Sequence, residues 1–204
     1  MKKVKLAAGG ALCAMAAALA AAAQNPAPAK SGGERVVALV SVANQKMTVY
    51  SGARKVAEYA VSTAKAGVGS MSGSNKTPPG MHRIAAFFGS NAALGQVFKS
   101  RRAVRGRVLP ESEWRTDGGE DLVTTRILWL DGLEPGVNKG GNVDSKARCI
   151  YIHGTNQEHL LGVPASHGCI RMSNRDVVKF YDYAKEHSGM RVKIEDDAAA
   201  SRSP

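Results

Sequence analysis

The chain is poor in cysteine and short of acid. Three cysteines stand among 204 residues, too few to staple a domain of this length, so a disulfide framework is excluded and a packed core must supply the stability. Asp and Glu number 17 against 28 Lys and Arg, for a formal charge of +11. No helical stretch concentrates that excess, which argues against a nucleic-acid-binding function. There is no internal repeat and no separate binding module. His153, His167 and Cys169 are possible zinc ligands, but their spacing fits no zinc pattern. Past the first 23 residues no apolar run is suited to a membrane span.

Those first residues read as an export signal. Lys2, Lys3 and Lys5 precede an Ala-rich apolar run, and Ala21-Ala22-Ala23 offers a small-residue cleavage site before Gln24. Cys13 lies inside the apolar run, without the pattern of a lipoprotein site. Cleavage would remove three lysines and no acid, lowering the charge from +11 to +8. A basic exported protein suits an anionic wall polymer, and equally the charge can serve solubility alone. Two cysteines, Cys149 and Cys169, would remain. Cys149 reads as a small buried residue rather than half of a disulfide.

The chemistry concentrates in residues 150–172, IYIHGTNQEHLLGVPASHGCIRM. A free thiol titrates near 8.5, so a nucleophilic cysteine needs a base or a cation beside it. His153, 16 residues before Cys169, is that candidate base. Strand alternation places Cys149, Tyr151 and His153 on one face and Ile150 and Ile152 on the other. Gly154 is expected to end the strand at a cleft. In Ser166-His167-Gly168-Cys169, Gly168 permits a tight turn, and the amides of His167, Gly168 and Cys169 could converge on an oxyanion. Arg171 offers a fork for a substrate carboxylate on the cysteine face. Papain-like proteases share the Cys/His chemistry, but their local signature is missing.

His-Gly-Thr followed by Ser-His-Gly-Cys-Ile-Arg-Met resembles the signature of L,D-transpeptidases with the YkuD-type catalytic domain. The resemblance extends upstream to Thr77-Pro78-Pro79-Gly80. It implies Cys169 as nucleophile, His153 as base and proton donor, and the Gly154 carbonyl as the group orienting the imidazole. His167 and Gly168 would be backbone oxyanion donors; Arg171 and Ser166 would bind substrate. No metal or cofactor is implied. The implied partners are peptidoglycan stem peptides, a donor tetrapeptide and an acceptor amine, with carbapenems as inhibitors. The implied reaction is 3→3 crosslinking through a thioester with loss of D-Ala. Trimming of tetrapeptides by L,D-carboxypeptidation and non-catalytic wall binding are the alternatives. The place of action would be the periplasm or cell envelope.

The fold expected is mainly β: one catalytic domain of short strands in a mixed sheet or sandwich, with a single helix after Cys169. The segments are a signal peptide over 1–23, a linker over 24–34, the domain over 35–195 and a disordered tail over 196–204. Strands are expected at 36–43, 46–50, 56–63, 81–88, 124–130, 149–153 and 191–195. Residues 89–121, with Arg101, Arg102, Arg105 and Arg107, read as a mobile or partly helical insertion beside the cleft, either a lid or a solvated loop. Ser173 and Asp176 form a capping-box pattern for a helix running to about His187. Its N-terminal dipole would help the thiolate modestly.

Overall fold

The computed structural model describes residues 35–115 and 119–196. The expected signal peptide, its cleavage site, the linker and nearly all of the tail lie outside the described residues.

Ten strands join in one mixed sheet. Val36–Ser41 (β1), Lys46–Ser51 (β2) and Arg54–Ala60 (β3) form an antiparallel meander. Gly80–Phe88 (β4) follows a long connection. Gln96–Lys99 (β5) and Arg102–Val108 (β6) make a hairpin. Val123–Gly132 (β7) is the hub, pairing with β4, with β5 and with Tyr151–Thr155 (β8). Ile170–Met172 (β9) lies parallel to β8, and Arg191–Glu195 (β10) sits parallel to β1 and antiparallel to β4.

One α-helix, Asn174–Glu186 (α1), packs on this sheet. Ser173 caps it by accepting from the Asp176 amide at 3.0 Å, which satisfies one of the four orphan donors of the first turn. The Asp176 carboxylate takes Lys179 at 2.9 Å. The amide of Asn174 donates to the Glu158 carboxylate at 2.7 Å, so the helix start already faces an anion. The buried face of α1, Val177, Phe180, Tyr181 and Ala184, meets Val40, Met47, Val49, Leu128, Ile152, Ile170 and Ile194 in the main core. Each such large side chain contributes roughly 1.5–3 kcal/mol when fully buried. In β1, Val36, Ala38 and Val40 alternate inward, as the sequence pattern implies.

Three expectations change. First, residues 89–121, expected as a mobile or partly helical insertion, hold the β5–β6 hairpin, which was not expected, besides a short 3-10 turn, Glu111–Glu113. Arginine-rich β6 is almost wholly exposed, so it lacks the alternation that marks a half-buried strand. The hairpin turns on Ser100 (φ 49°) and Arg101 (φ 65°), a two-residue turn with both central residues left-handed. Without glycine, each residue costs about 1–2 kcal/mol. Second, β3 ends at Ala60, and the chain beyond it runs beside the Cys169 segment, where Ser62 bridges Arg171. Third, β8 begins at Tyr151 and continues through Thr155. Cys149 lies outside it with φ 57°. Gly154 does not end the strand, because it pairs with Thr124 on one side and Met172 on the other.

Candidate active site

The site is built where β8 and β9 run side by side. Their register sets Ile152 beside Ile170 and His153 beside Arg171. The two isoleucines enter the main core. Alternation turns Tyr151 and His153 to the other face, with Cys169 just before β9. Gly154 makes this tight junction possible: a Cβ there would come within 2.8 Å of the Thr124 carbonyl and 2.9 Å of Asn174 Oδ1. Asn174 in turn accepts from Thr124 Oγ1 at 2.7 Å and from Thr125 Oγ1.

His153 is 3% exposed. Its Nδ1 lies 2.7 Å from the Gly154 carbonyl. A carbonyl only accepts, so Nδ1 carries the proton and Nε2 is the basic nitrogen. Burial lowers the imidazole pKa below its ordinary value; the Gly154 contact and the charge of Asp121 oppose this, and Arg171 adds to it. The ring therefore rests neutral at pH 7.

Cys169 also rests neutral. The thiol receives the Tyr151 amide at 3.4 Å and donates to the Cys149 carbonyl at 3.5 Å. Burial pushes its pKa up to about 12, against the opposing pull of the Tyr151 amide. The shifts of thiol and imidazole both lean toward the neutral forms of the two groups.

The turn before Cys169 is tied internally. Ser166, 2% exposed, donates to the Cys169 carbonyl at 2.6 Å and accepts the Gly168 amide at 3.1 Å. The Gly168 amide is thus engaged, contrary to its expected role as an oxyanion donor. Gly168 has φ 130°, and a Cβ there would sit 3.3 Å from the Lys76 carbonyl. Thr77, from the Thr-Pro-Pro-Gly stretch, donates to the Gly168 carbonyl at 3.1 Å. Arg148 fastens the same connection from outside, reaching the carbonyls of Ser70 at 2.8 Å and Lys76 at 2.6 Å.

Arg171 is not an open fork. It is 1% exposed. Nη1 donates to Gln157 at 2.9 Å, and Nη2 serves the Ala165 carbonyl at 3.0 Å and the carboxylate of Asp121. Its charge is spent inside the protein. Asp121 also meets exposed His167 at 3.3 Å through Nδ1. Asp121 and Arg148 are site residues that the sequence pattern did not single out. Asp121 follows Glu120 in a charged stretch whose local pattern does not differ from that of solvated surface.

An open cleft of about 700 Å³ runs from Asp121 along Leu122 and Val123 to Phe98, Lys99 and Ser100 of the hairpin. Among the described residues no three His, Cys, Asp or Glu side chains gather as a metal site. Among the same residues no helix is long and apolar enough to cross a membrane.

Residues 35–194 match the family described as the L,D-transpeptidase catalytic domain, YkuD. The chain belongs to this L,D-transpeptidase family. The family resemblance read from the His-Gly-Thr and Ser-His-Gly-Cys stretches is thereby shown, as is the mainly β fold with one helix. No curated protein matches the chain. Among solved structures, it is similar to an L,D-transpeptidase from Mycobacterium smegmatis, with 17% identity, 79% of this chain and 58% of that one covered, and a TM-score of 0.46. It is also similar to L,D-transpeptidase 3 from Mycobacterium tuberculosis in complex with a faropenem-derived adduct, at 15% identity, 79% and 60% coverage, and a TM-score of 0.45. A third is the helical cell shape determining protein Pgp2 from Campylobacter jejuni, at 20% identity, 79% and 47% coverage, and a TM-score of 0.44. The chain spans less than two thirds of the length of each of these structures.

Proposed function

We propose that this L,D-transpeptidase family member forms 3→3 peptidoglycan crosslinks through a thioester on Cys169. The observation that carries the reading is the β8–β9 junction. It sets a buried neutral His153, with its tautomer held by Gly154, on the strand beside the Cys169 thiol.

In the reaction, His153 Nε2 takes the thiol proton as Sγ attacks the carbonyl between the third stem residue and D-Ala. The carbonyl π electrons move to oxygen, and the amides of His167 and Cys169 are the remaining candidate donors to it. Collapse breaks the C–N bond, and His153 returns the proton to the leaving D-Ala amine. The side-chain amine of a second stem then attacks the thioester, gives its proton to His153, and frees the Cys169 thiol. Ser166 shapes this site by holding the turn. Carbapenems would acylate the same sulfur. The protein would act outside the cytoplasmic membrane, after cleavage near Ala23.

A second reading is L,D-carboxypeptidation, in which water rather than an amine takes the acyl group from the thioester. One experiment separates them: disaccharide-tetrapeptide is incubated with the purified protein and the products are weighed. A crosslinked dimer is expected. A trimmed tripeptide alone would assign the carboxypeptidase, and crosslinking by Cys169→Ala protein would refute the mechanism.

A further inference from the structure

The hairpin places an arginine where the sequence had put Arg171. Arg101, at the left-handed tip between β5 and β6, lays its guanidinium over the Trp129 ring, 4.4 Å from the centroid. One nitrogen, Nη1, donates to Tyr151 Oη at 2.7 Å and reaches Cys149 Sγ at 3.6 Å. Trp129 and Tyr151 are cross-strand partners, packed edge to face at 6.1 Å. Lys146 Nζ lies 5.5 Å from the same indole, and its carbonyl accepts the Trp129 Nε1 proton at 3.1 Å.

This cationic wall adjoins the nucleophile. The Tyr151 amide and the Cys149 carbonyl are the two hydrogen-bond partners of Cys169 Sγ, and both residues touch Arg101. Among the described residues, neither Arg101 nor Lys146 has a carboxylate partner. The buried cation behaves differently: Arg171, 1% exposed, holds an aspartate. Arg101 is therefore oriented by neutral groups and keeps its charge for a ligand. A guanidinium stacked on an aromatic ring with one nitrogen pinned still presents a planar pair of donors, and that geometry suits a carboxylate.

From this juxtaposition we infer that Arg101, assisted by Lys146 across Trp129, binds a carboxylate of the donor stem peptide and so determines donor specificity. The inference rests on the reading of Cys169 as the acyl acceptor. Two carboxylates lie close enough in the stem to serve: that of the terminal D-Ala and that on the side chain of the diamino acid. Their chemistry is shared, and amidating each in turn tells them apart.

The test uses the full protein with Cys169→Ala, so that binding is read without turnover. Calorimetry measures the affinity of three synthetic tetrapeptides: both carboxylates free, the terminal one amidated, and the diamino acid's one amidated. Replacing Arg101 by Gln should weaken binding of the free acid roughly 10- to 100-fold, the worth of a charged hydrogen bond. It should change little for the peptide whose recognised carboxylate is amidated. Arg101→Lys should recover part of the loss, since it keeps the charge without the fork. Equal losses on all three peptides, or none, would overturn the site and show Arg101 to be structural. The same variants in the Cys169 protein separate this inference from its foundation. Normal turnover without dependence on Arg101 refutes the carboxylate site alone. Carboxylate-dependent binding without any turnover refutes the reaction and leaves the site standing.

Discussion

Thr77 Oγ1 donates to the Gly168 carbonyl at 3.1 Å across 91 residues of sequence. The same hydroxyl accepts the Ala64 amide at 3.0 Å, so one side chain ties two stretches of the 61–79 connection to the turn carrying the thiol. Thr77 is fully buried. Thr77→Val keeps the shape but leaves a buried carbonyl and a buried amide without their partner. We expect a loss of about 1–3 kcal/mol in urea unfolding, seen as a lower midpoint at unchanged slope. Thr77→Ser should restore most of it. A Val variant as stable as the parent would show that the hydroxyl does not hold the turn.

Asp121 should matter for the fold as well as for the site. Its carboxylate is the anionic partner of a guanidinium that is 1% exposed. Asp121→Asn leaves that charge buried with only neutral acceptors. The expected cost is roughly 3 kcal/mol, the low end for breaking a buried pair, because Asp121 itself keeps 25% of its side chain exposed. Pairing Asp121→Asn with Arg171→Met should recover stability, since no charge then needs a partner. Thermal melts of the single and double variants measure both effects.

Acid should weaken the protein through His82. This ring is fully buried, with Nδ1 donating to the Gly80 carbonyl at 3.1 Å and Nε2 accepting from Ser145 Oγ at 2.9 Å. Burial lowers its pKa from 6.5 to about 4. Between these values the unfolded chain binds a proton that the folded chain refuses. Stability from this group is therefore complete above pH 6.5, is lost as pH falls to about 4, and is not lost further below that. The full loss is roughly 3 kcal/mol. Denaturation at pH 7 and pH 4.5 should show most of it, and the increment should be missing in His82→Gln.

The candidate catalytic stretch was readable because its information is local. His153 and Cys169 sit within one strand–loop–strand unit, and alternation alone turns Tyr151 and His153 to one face. The helix after Cys169 was readable for the same reason: its cap and apolar spacing lie within a few residues of each other. The hairpin was not readable. Its outer strand buries almost nothing, so it carries no period-two signal, and its turn uses Ser100-Arg101 where glycine or asparagine is usual.

By itself, then, the sequence determined the mainly β class, the family and the pair of residues proposed to do the chemistry, because periodicity and a short motif survive without coordinates. Only the tertiary structure decided which arginine is spent and which is open. Arg171 and Arg101 are the same residue type, each near the thiol. Arg171 meets Asp121, 50 residues away in sequence, and is neutralised in the interior. Arg101 rests on Trp129 and Tyr151, without an acid beside it among the described residues. A side chain's free charge depends on its nearest partners in space, and those partners come from other strands that only the folded sheet brings together.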